Sequence, residues 1–236
     1  MFTAALCMKP KTLMSYRVLA CDYDETLAHG GVVTEATLAA LERLLGSGRK
    51  PILVTGRQLE ELLDVFPEAH RFERIVAENG ALLYDPKTGQ TRTLAEPPAA
   101  GFTDALRQRD VSPLAVGRVI MATKKPHEKA VWQAIRALGL DLQVILNKDS
   151  VMVLPTGVDK ETGLATALRE LNVSFRDVIG IGDGENDEAF LSLCGYAVAV
   201  QNAVPAVKKC AHLVTADDDG AGVVQVINRL IENDLP

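Results

Sequence analysis

The sequence predicts an α/β protein built on a parallel sheet, with a small α+β unit inserted into it. Three observations predict this class. Short apolar runs alternate with helical-period segments near both ends of the chain. Between them the rhythm changes to a helix–strand–helix–strand–strand order. Acid-rich and glycine-rich segments follow the apolar runs directly, at the strand ends where open α/β sheets place ligands.

Each element has its own warrant. Arg17–Asp22 is a strand, because Val18-Leu19-Ala20-Cys21 is a continuous apolar run suited to burial on both faces. Thr34–Leu45 has the apolar period of an amphipathic helix, and Gly46 and Gly48 can end it. Pro51–Thr55 is the second strand, Gln58–Phe66 the second helix and Arg74–Ala77 the third strand. Ala81–Tyr84 and Thr91–Leu94 flank the turn-forming Asp85–Gln90 and are expected to form a hairpin. Beyond Pro97-Pro98 come a helix over Gly101–Arg109, a strand over Ala115–Thr123 and a helix over Pro126–Leu138. Leu142–Leu146 and Ser150–Leu154 are short strands. The parallel pattern then resumes: helix Lys160–Leu171, strand Val178–Ile181, helix Glu185–Leu193 and strand Tyr196–Val200. Helix Val204–Cys210, strand His212–Val214 and helix Gly222–Ile231 close the chain.

Residues 14–82 and 155–236 are therefore expected to form one core, split by an insertion at 83–154. The insertion is about 70 residues long, near the lower limit for an independent hydrophobic core. Residues 1–13 are expected to be a disordered extension, with Met14 as a candidate start.

Composition narrows the partners. Of 236 residues, 47% are hydrophobic and 24% charged, ordinary for a globular protein with a substantial core. A net charge of −6, without a basic cluster interleaved with aromatics, argues against nucleic acid as a partner. No apolar stretch approaches the roughly 20 residues of a membrane helix. Cys7, Cys21, Cys194 and Cys210 are widely scattered without a C-x-x-C, which fits reduced thiols in the cytoplasm.

The chemistry is concentrated in four segments. Asp22 and Asp24 stand two residues apart at the end of the first strand, so both project to the same side. Asp22 is the candidate nucleophile, since a carboxylate attacking phosphorus divides a hard hydrolysis into two easier steps. Asp24 is the candidate acid/base beside it, and Thr26 either orients Asp24 or caps the turn. Thr55 offers a hydroxyl after the second strand, while Gly56 lets backbone amides approach a phosphate. Arg57 is expected to reach substrate or to pair with nearby acids. Lys160 opens a helix, where its ammonium can join the helix dipole at a phosphate, and Asn186 is placed with these phosphate-binding groups. Gly182-Asp183-Gly184-Glu185-Asn186-Asp187 supplies hard oxygen donors suited to Mg²⁺. Asp183 is the better metal ligand there, and Asp187 supports either the metal or Lys160.

These segments, in this order, resemble the haloacid dehalogenase superfamily, and in particular its Cof-type phosphatase branch. Glu78-Asn79-Gly80-Ala81, Ala199–Ala203 and Val207-Lys208-Lys209 add to a resemblance spanning most of residues 16–232. It implies a Rossmann-like core with helices on both faces, its first strand central, and an inserted α/β cap over the site. It implies Mg²⁺ held by Asp22, the Asp24 backbone carbonyl and Asp183, with Asp22 as nucleophile, Asp24 as general acid/base, and Thr55 and Lys160 on the phosphate. The expected activity is hydrolysis of a small phosphate monoester, a sugar phosphate or phosphoglycolate-sized metabolite, by a monomer or homodimer. Arg57, Glu78 and Asn79 are candidate substrate contacts near the hinge, and Lys124, Lys125 and His127 lie in the cap. Glu25 departs from the pattern, standing where the family usually has Gly.

Two other functions share this residue set. A phosphotransferase or phosphomutase of the same fold would pass the phosphoryl group to a hydroxyl instead of water. A phosphorylatable regulator also uses a strand-end Asp, acidic partners and a Lys, but it has neither the insertion nor an acid/base at Asp24.

Overall fold

A computed structural model describes residues 16–235, so the expectations for residues 1–13 and Met14 lie outside the described residues. The chain begins as the apolar runs require. β1 (Val18–Cys21) is followed by α1 (Glu35–Gly46), β2 (Lys50–Val54), α2 (Leu59–Val65) and β3 (Arg74–Ala77). All four residues of β1 are at most 1% exposed, which explains a run with no polar alternation. Thr34 caps α1 by accepting from the Thr37 amide at 3.2 Å.

β4 (Leu82–Asp85) and β5 (Gln90–Thr93) form the hairpin, and α3 (Ala100–Arg107), β6 (Ala115–Val116), β7 (Met121–Lys124) and α4 (Glu128–Leu138) follow. β8 (Leu142–Asn147) and β9 (Ser150–Pro155) complete the middle of the chain. The return comprises α5 (Lys160–Glu170), β10 (Val178–Gly182), α6 (Glu188–Leu193) and β11 (Tyr196–Ala199), then α7 (Pro205–Cys210), β12 (Leu213–Val214) and α8 (Asp219–Ile231).

The strands make an eight-stranded sheet in the order β12-β11-β10-β1-β2-β3-β4-β5 and a four-stranded sheet in the order β6-β7-β9-β8. From β12 to β3 every pairing is parallel, and β4 and β5 extend that sheet antiparallel. The hairpin, which the sequence groups with the insertion, thus pairs with the large sheet. Its strand signals say that two strands meet but not which third strand they join.

The four-stranded sheet shows how alternation builds a two-sided layer. Met121, Val151 and Val153 point into a cluster with Phe102, Leu106, Val131 and Ile135 of α3 and α4. The intervening Ala122, Met152 and Leu154 face the opposite way, with Ala81, Val119 and Ile120. The single strand expected over 115–123 is broken in two here. The break falls at Gly117–Ile120, where the amides of Arg118, Val119 and Ile120 all donate to the buried Glu78 carboxylate at 2.7–2.9 Å.

The β3–β4 connection meets the segment leading from β9 into α5 at a tight crossing. Gly80 has φ +105°, and a Cβ there would sit 1.7 Å from the Asp159 carbonyl oxygen. Only glycine permits that approach.

Candidate active site

The register of the large sheet brings the motifs together. Cys21 of β1 pairs with Ile181 of β10 and Leu53 of β2, so Asp22, Asp183 and Thr55 emerge at one edge. The Asp22 amide donates to the Ile181 carbonyl at 3.0 Å, holding the residue at the strand end. Asp22, Lys160, Asp183 and Asp187 are each at most 6% exposed.

Lys160 joins two of these acids. It is the first residue of α5, behind an Asp159–Thr162 capping box that fixes where the helix starts. Its Nζ donates to Asp22 Oδ1 and to Asp187 Oδ1, both at 2.6 Å. Asp187 Oδ2 accepts the amides of Asp183 and Gly184 at 2.9 and 3.0 Å, which ties the β10–α6 turn to the lysine. Asp187 therefore orients Lys160, and its carboxylate also lies in the acid cluster. Carboxylate oxygens of Asp22, Asp183 and Asp187 come within 4.8 Å of one another.

Electrostatics follow from this crowding. Burial pushes the Asp22 carboxyl well above its usual range; Lys160 opposes the shift, while Asp187 and Asp183 reinforce it. Burial and Asp187 likewise raise Asp183. Burial alone would lower Lys160, but the two carboxylates outweigh it and hold the group cationic.

Asp24 faces the cleft in the grip of Arg57. The guanidinium donates through Nε to Asp24 Oδ2 at 2.8 Å and through Nη2 to Oδ1 at 2.7 Å, a bidentate fork. Arg57 also reaches Glu61 at 2.9 Å and lies 5.3 Å over the Tyr23 ring. Arg57 makes the acid pairing expected of it and also lines the cleft.

Thr55 is fully buried, and its hydroxyl accepts the Arg57 amide at 3.1 Å. Gly56 underlies the cleft, where an added Cβ would sit 3.4 Å from Met152 Sδ of the four-stranded sheet. Asn186 Nδ2 donates to Asn79 Oδ1 at 2.8 Å, joining the last motif to the hinge. Thr26 neither orients Asp24 nor caps its own turn; its hydroxyl donates to Asp183 Oδ1 at 3.0 Å. Glu78 does not face substrate: it is fully buried and both its oxygens are taken by the 118–120 amides.

The cleft measures about 500 Å³ and lies between Asp22, Asp24 and Lys160 on one side and Ala122, Lys124 and Met152 on the other. A larger surface concavity of about 800 Å³ around residues 165–177 lies away from this cluster, so size alone does not select the site. Lys124 lines the cleft, whereas the His127 ring is hydrogen-bonded to the Ser112 carbonyl at 2.9 Å.

Two contributors escaped the sequence reading. Asn147 and Lys148 stand at the β8–β9 turn, and Lys148 Nζ donates to Asp183 Oδ2 at 2.6 Å. An Asn-Lys-Asp-Ser turn between apolar strands carries no signal beyond turn chemistry. Glu25 adopts φ +57°, the left-handed region glycine enters freely, which explains why glycine suits this position. Its carboxylate accepts the Gly30 amide at 3.1 Å and approaches His29 Nδ1 at 3.6 Å, at the margin of the cleft that Glu25 also lines.

Comparison with known proteins agrees with this geometry. The haloacid dehalogenase-like hydrolase family model matches residues 19–137 and 118–227. Phosphoglycolate phosphatase 2 of Saccharolobus solfataricus is 27% identical over 228 residues, covering 92% of this chain and 94% of that protein. A phosphoglycolate phosphatase of Halorubrum lacusprofundi is 29% identical over 220 residues, covering 87% and 95%. Among solved structures, a haloacid dehalogenase-like hydrolase from Bacteroides thetaiotaomicron superposes with a TM-score of 0.78 at 19% identity, covering 91% of this chain and 99% of that one. A subclass IIB sugar phosphatase superposes with a TM-score of 0.74 at 19% identity, covering 90% and 98%. At such identities the structural likeness speaks for the fold alone. The family match spans nearly all of the described chain, and with it this chain belongs to the haloacid dehalogenase-like hydrolases, in their Cof-type phosphatase branch.

Proposed function

We propose that this protein is a Mg²⁺-dependent phosphatase that hydrolyses a small phosphate monoester, with phosphoglycolate the first substrate to try, through an aspartyl-phosphate on Asp22. The observation that carries the reading is the Asp22 carboxylate, held by Lys160 at 2.6 Å and standing at the floor of a cleft that Asp24 also lines. The near full-length match to phosphoglycolate phosphatases supports the substrate class.

In the first half-reaction an Asp22 oxygen bonds to phosphorus and the bond from phosphorus to the ester oxygen breaks. Asp24 donates its proton to the departing alkoxide. In the second half Asp24 takes a proton from water, whose oxygen attacks phosphorus, releasing inorganic phosphate and restoring Asp22. Arg57 positions the ionised Asp24 by its fork, the form that takes a proton from water in the second half, and Lys160 faces the phosphate oxygens with the start of α5 behind it.

The donor set fits a hard divalent ion. Asp22, Asp183 and Asp187 offer oxygens only, crowded enough that burial and mutual repulsion raise Asp22 and Asp183. Mg²⁺ would be held by Asp22, the Asp24 carbonyl and Asp183, with Asp187 in support, and when bound it neutralises charge on the phosphate oxygens. The four-stranded sheet acts as the cap: its Ala122–Met152 face roofs the cleft. Buried Asn147 Oδ1 and Asn186 Oδ1, on residues that line the cleft, have no partner among the described residues, and a polar ligand in the cleft would supply one.

The test is phosphate release from phosphoglycolate and a panel of small sugar phosphates, with Mg²⁺ and with EDTA. Wild type should turn over at least one ester only with Mg²⁺, and Asp22→Asn should lose on the order of 10⁴-fold or more. Turnover that survives either EDTA or the substitution would remove the mechanism.

A further inference from the structure

Lys148 is the contact across the cleft that neither the motifs nor the family match assigns. It sits at the tip of the β8–β9 hairpin with φ +51°, and its amide donates to Glu185 Oε2 at 3.3 Å. That backbone conformation turns the side chain down into the cleft, where the ammonium meets Asp183 at 2.6 Å. The side chain remains 43% exposed, while Asp183 is 2% exposed. The cation therefore reaches a buried acid from a solvated support.

Two other cations of the cleft are paired with acids, while Lys124, which also lines it, makes no ion pair among the described residues. Arg57 is matched by Asp24 and Glu61, and Lys160 by Asp22 and Asp187, both at hydrogen-bonding distance. Lys148 holds a single carboxylate, and holds it by the oxygen that a metal ion at Asp183 would need. Ammonium and metal compete there, so a metal on Asp183 releases Lys148 into the cleft on the side opposite the β1 strand end. Glu25 and Asp149 line the same cleft and repel any anion that no cation faces. The group that can be released toward substrate is thus a cation in acidic surroundings, which favours an ester carrying a second negative group.

We propose that Lys148 is a specificity-determining residue of this site, binding a carboxylate at the end of the substrate remote from the phosphate and yielding Asp183 to the metal. The inference rests on the phosphatase reading for its substrate class, but binding can test it without turnover. The phosphonate 3-phosphonopropionate has the size and charges of phosphoglycolate with an uncleavable carbon–phosphorus bond, and propylphosphonate lacks only the carboxylate.

Their affinities would be measured by titration calorimetry in Mg²⁺ for wild type, Lys148→Met and Lys148→Arg. A hydrogen bond to a charged group discriminates by roughly ten- to hundredfold, and partial exposure puts Lys148 at the lower end. Wild type should bind 3-phosphonopropionate about tenfold more tightly than propylphosphonate, with a gap under about threefold in Lys148→Met and substantially restored in Lys148→Arg. Mg²⁺ alone should bind Lys148→Met more tightly than wild type, since the competing ammonium is gone. Equal affinity of wild type for the two phosphonates, binding of neither, or a gap that persists in Lys148→Met overturns the proposal. A normal gap with no phosphate release from phosphoglycolate or any other ester of the panel would instead overturn the phosphatase reading and leave the role of Lys148 standing.

Discussion

The two walls of the cleft are built on opposite plans. On the large-sheet side, Asp22, Lys160, Asp183 and Asp187 are almost wholly buried and bonded to one another or to backbone amides. On the four-stranded side, Lys124 and Lys148 are exposed side chains on short strands and a turn. The first wall keeps its geometry because moving any member leaves a buried charge unpaired, which costs far more than the pairing itself contributes. On the second, exposed Lys124 can be replaced at little cost, and solvated Lys148 can exchange its hold on Asp183 for another partner. Chemistry that must not vary sits where variation is most destabilising, and ligand choice sits where it is least so.

Breaking the first wall gives the largest expected effect. Lys160→Met leaves Asp22 and Asp187 without their ammonium in a buried site, and stability at pH 8 should fall by about 3–5 kcal/mol, or roughly 6–20 °C in Tm. The sign with pH is fixed by the carboxyls, already raised in Asp22 and raised further without the lysine. A group with a raised folded-state pKa loses stability as pH climbs through that value, so the deficit should shrink toward pH 5 as the acids take up protons. Thermal melts across that range check it; a deficit independent of pH would show that packing, not charge, holds the lysine.

Arg57 sits where the walls meet. Arg57→Lys keeps the charge but cannot reproduce the fork on Asp24, so kcat should fall on the order of tenfold through misplacement of the acid/base. The half-exposed pair adds little stability, and Tm should move by less than about 3 °C. An unchanged kcat would mean that Asp24 leaves the fork before reacting.

The smallest effect belongs to the loop that joins them. Glu25→Gly removes a side chain from a left-handed position, worth about 1 kcal/mol, or roughly 2–4 °C of added Tm. A fall in Tm would show that its contacts with Gly30 and His29 outweigh the backbone strain.

The same contrast governs what the sequence discloses. β1 and β10 are legible as unbroken apolar runs because both of their faces are buried, and the acids after them are legible because strand ends in parallel sheets are ligand positions. Lys160 is legible by position, at the return from the inserted segment to the large sheet. Glu78 is not, since its partners are backbone amides some forty residues away that have no residue-type signature. Lys148 is equally silent, an ordinary turn residue until the fold lays its hairpin over Asp183. Local pattern reports burial and chain direction, while contacts between distant backbone and a single side chain leave no trace in it.

The near-contact of Gly80 with the Asp159 carbonyl has a consequence for how such a protein can diversify. A segment whose two ends meet closes its loop at the junction itself, and here the first part of that segment, β4 and β5, is still part of the large sheet. The stretch that can be exchanged without cutting the large sheet therefore runs from the end of β5 to the start of α5, on one condition: any replacement must bring backbone donors to the buried Glu78 carboxylate. Glu78 is in that sense a compatibility lock, admitting new ligand-binding modules only when they arrive with the matching key.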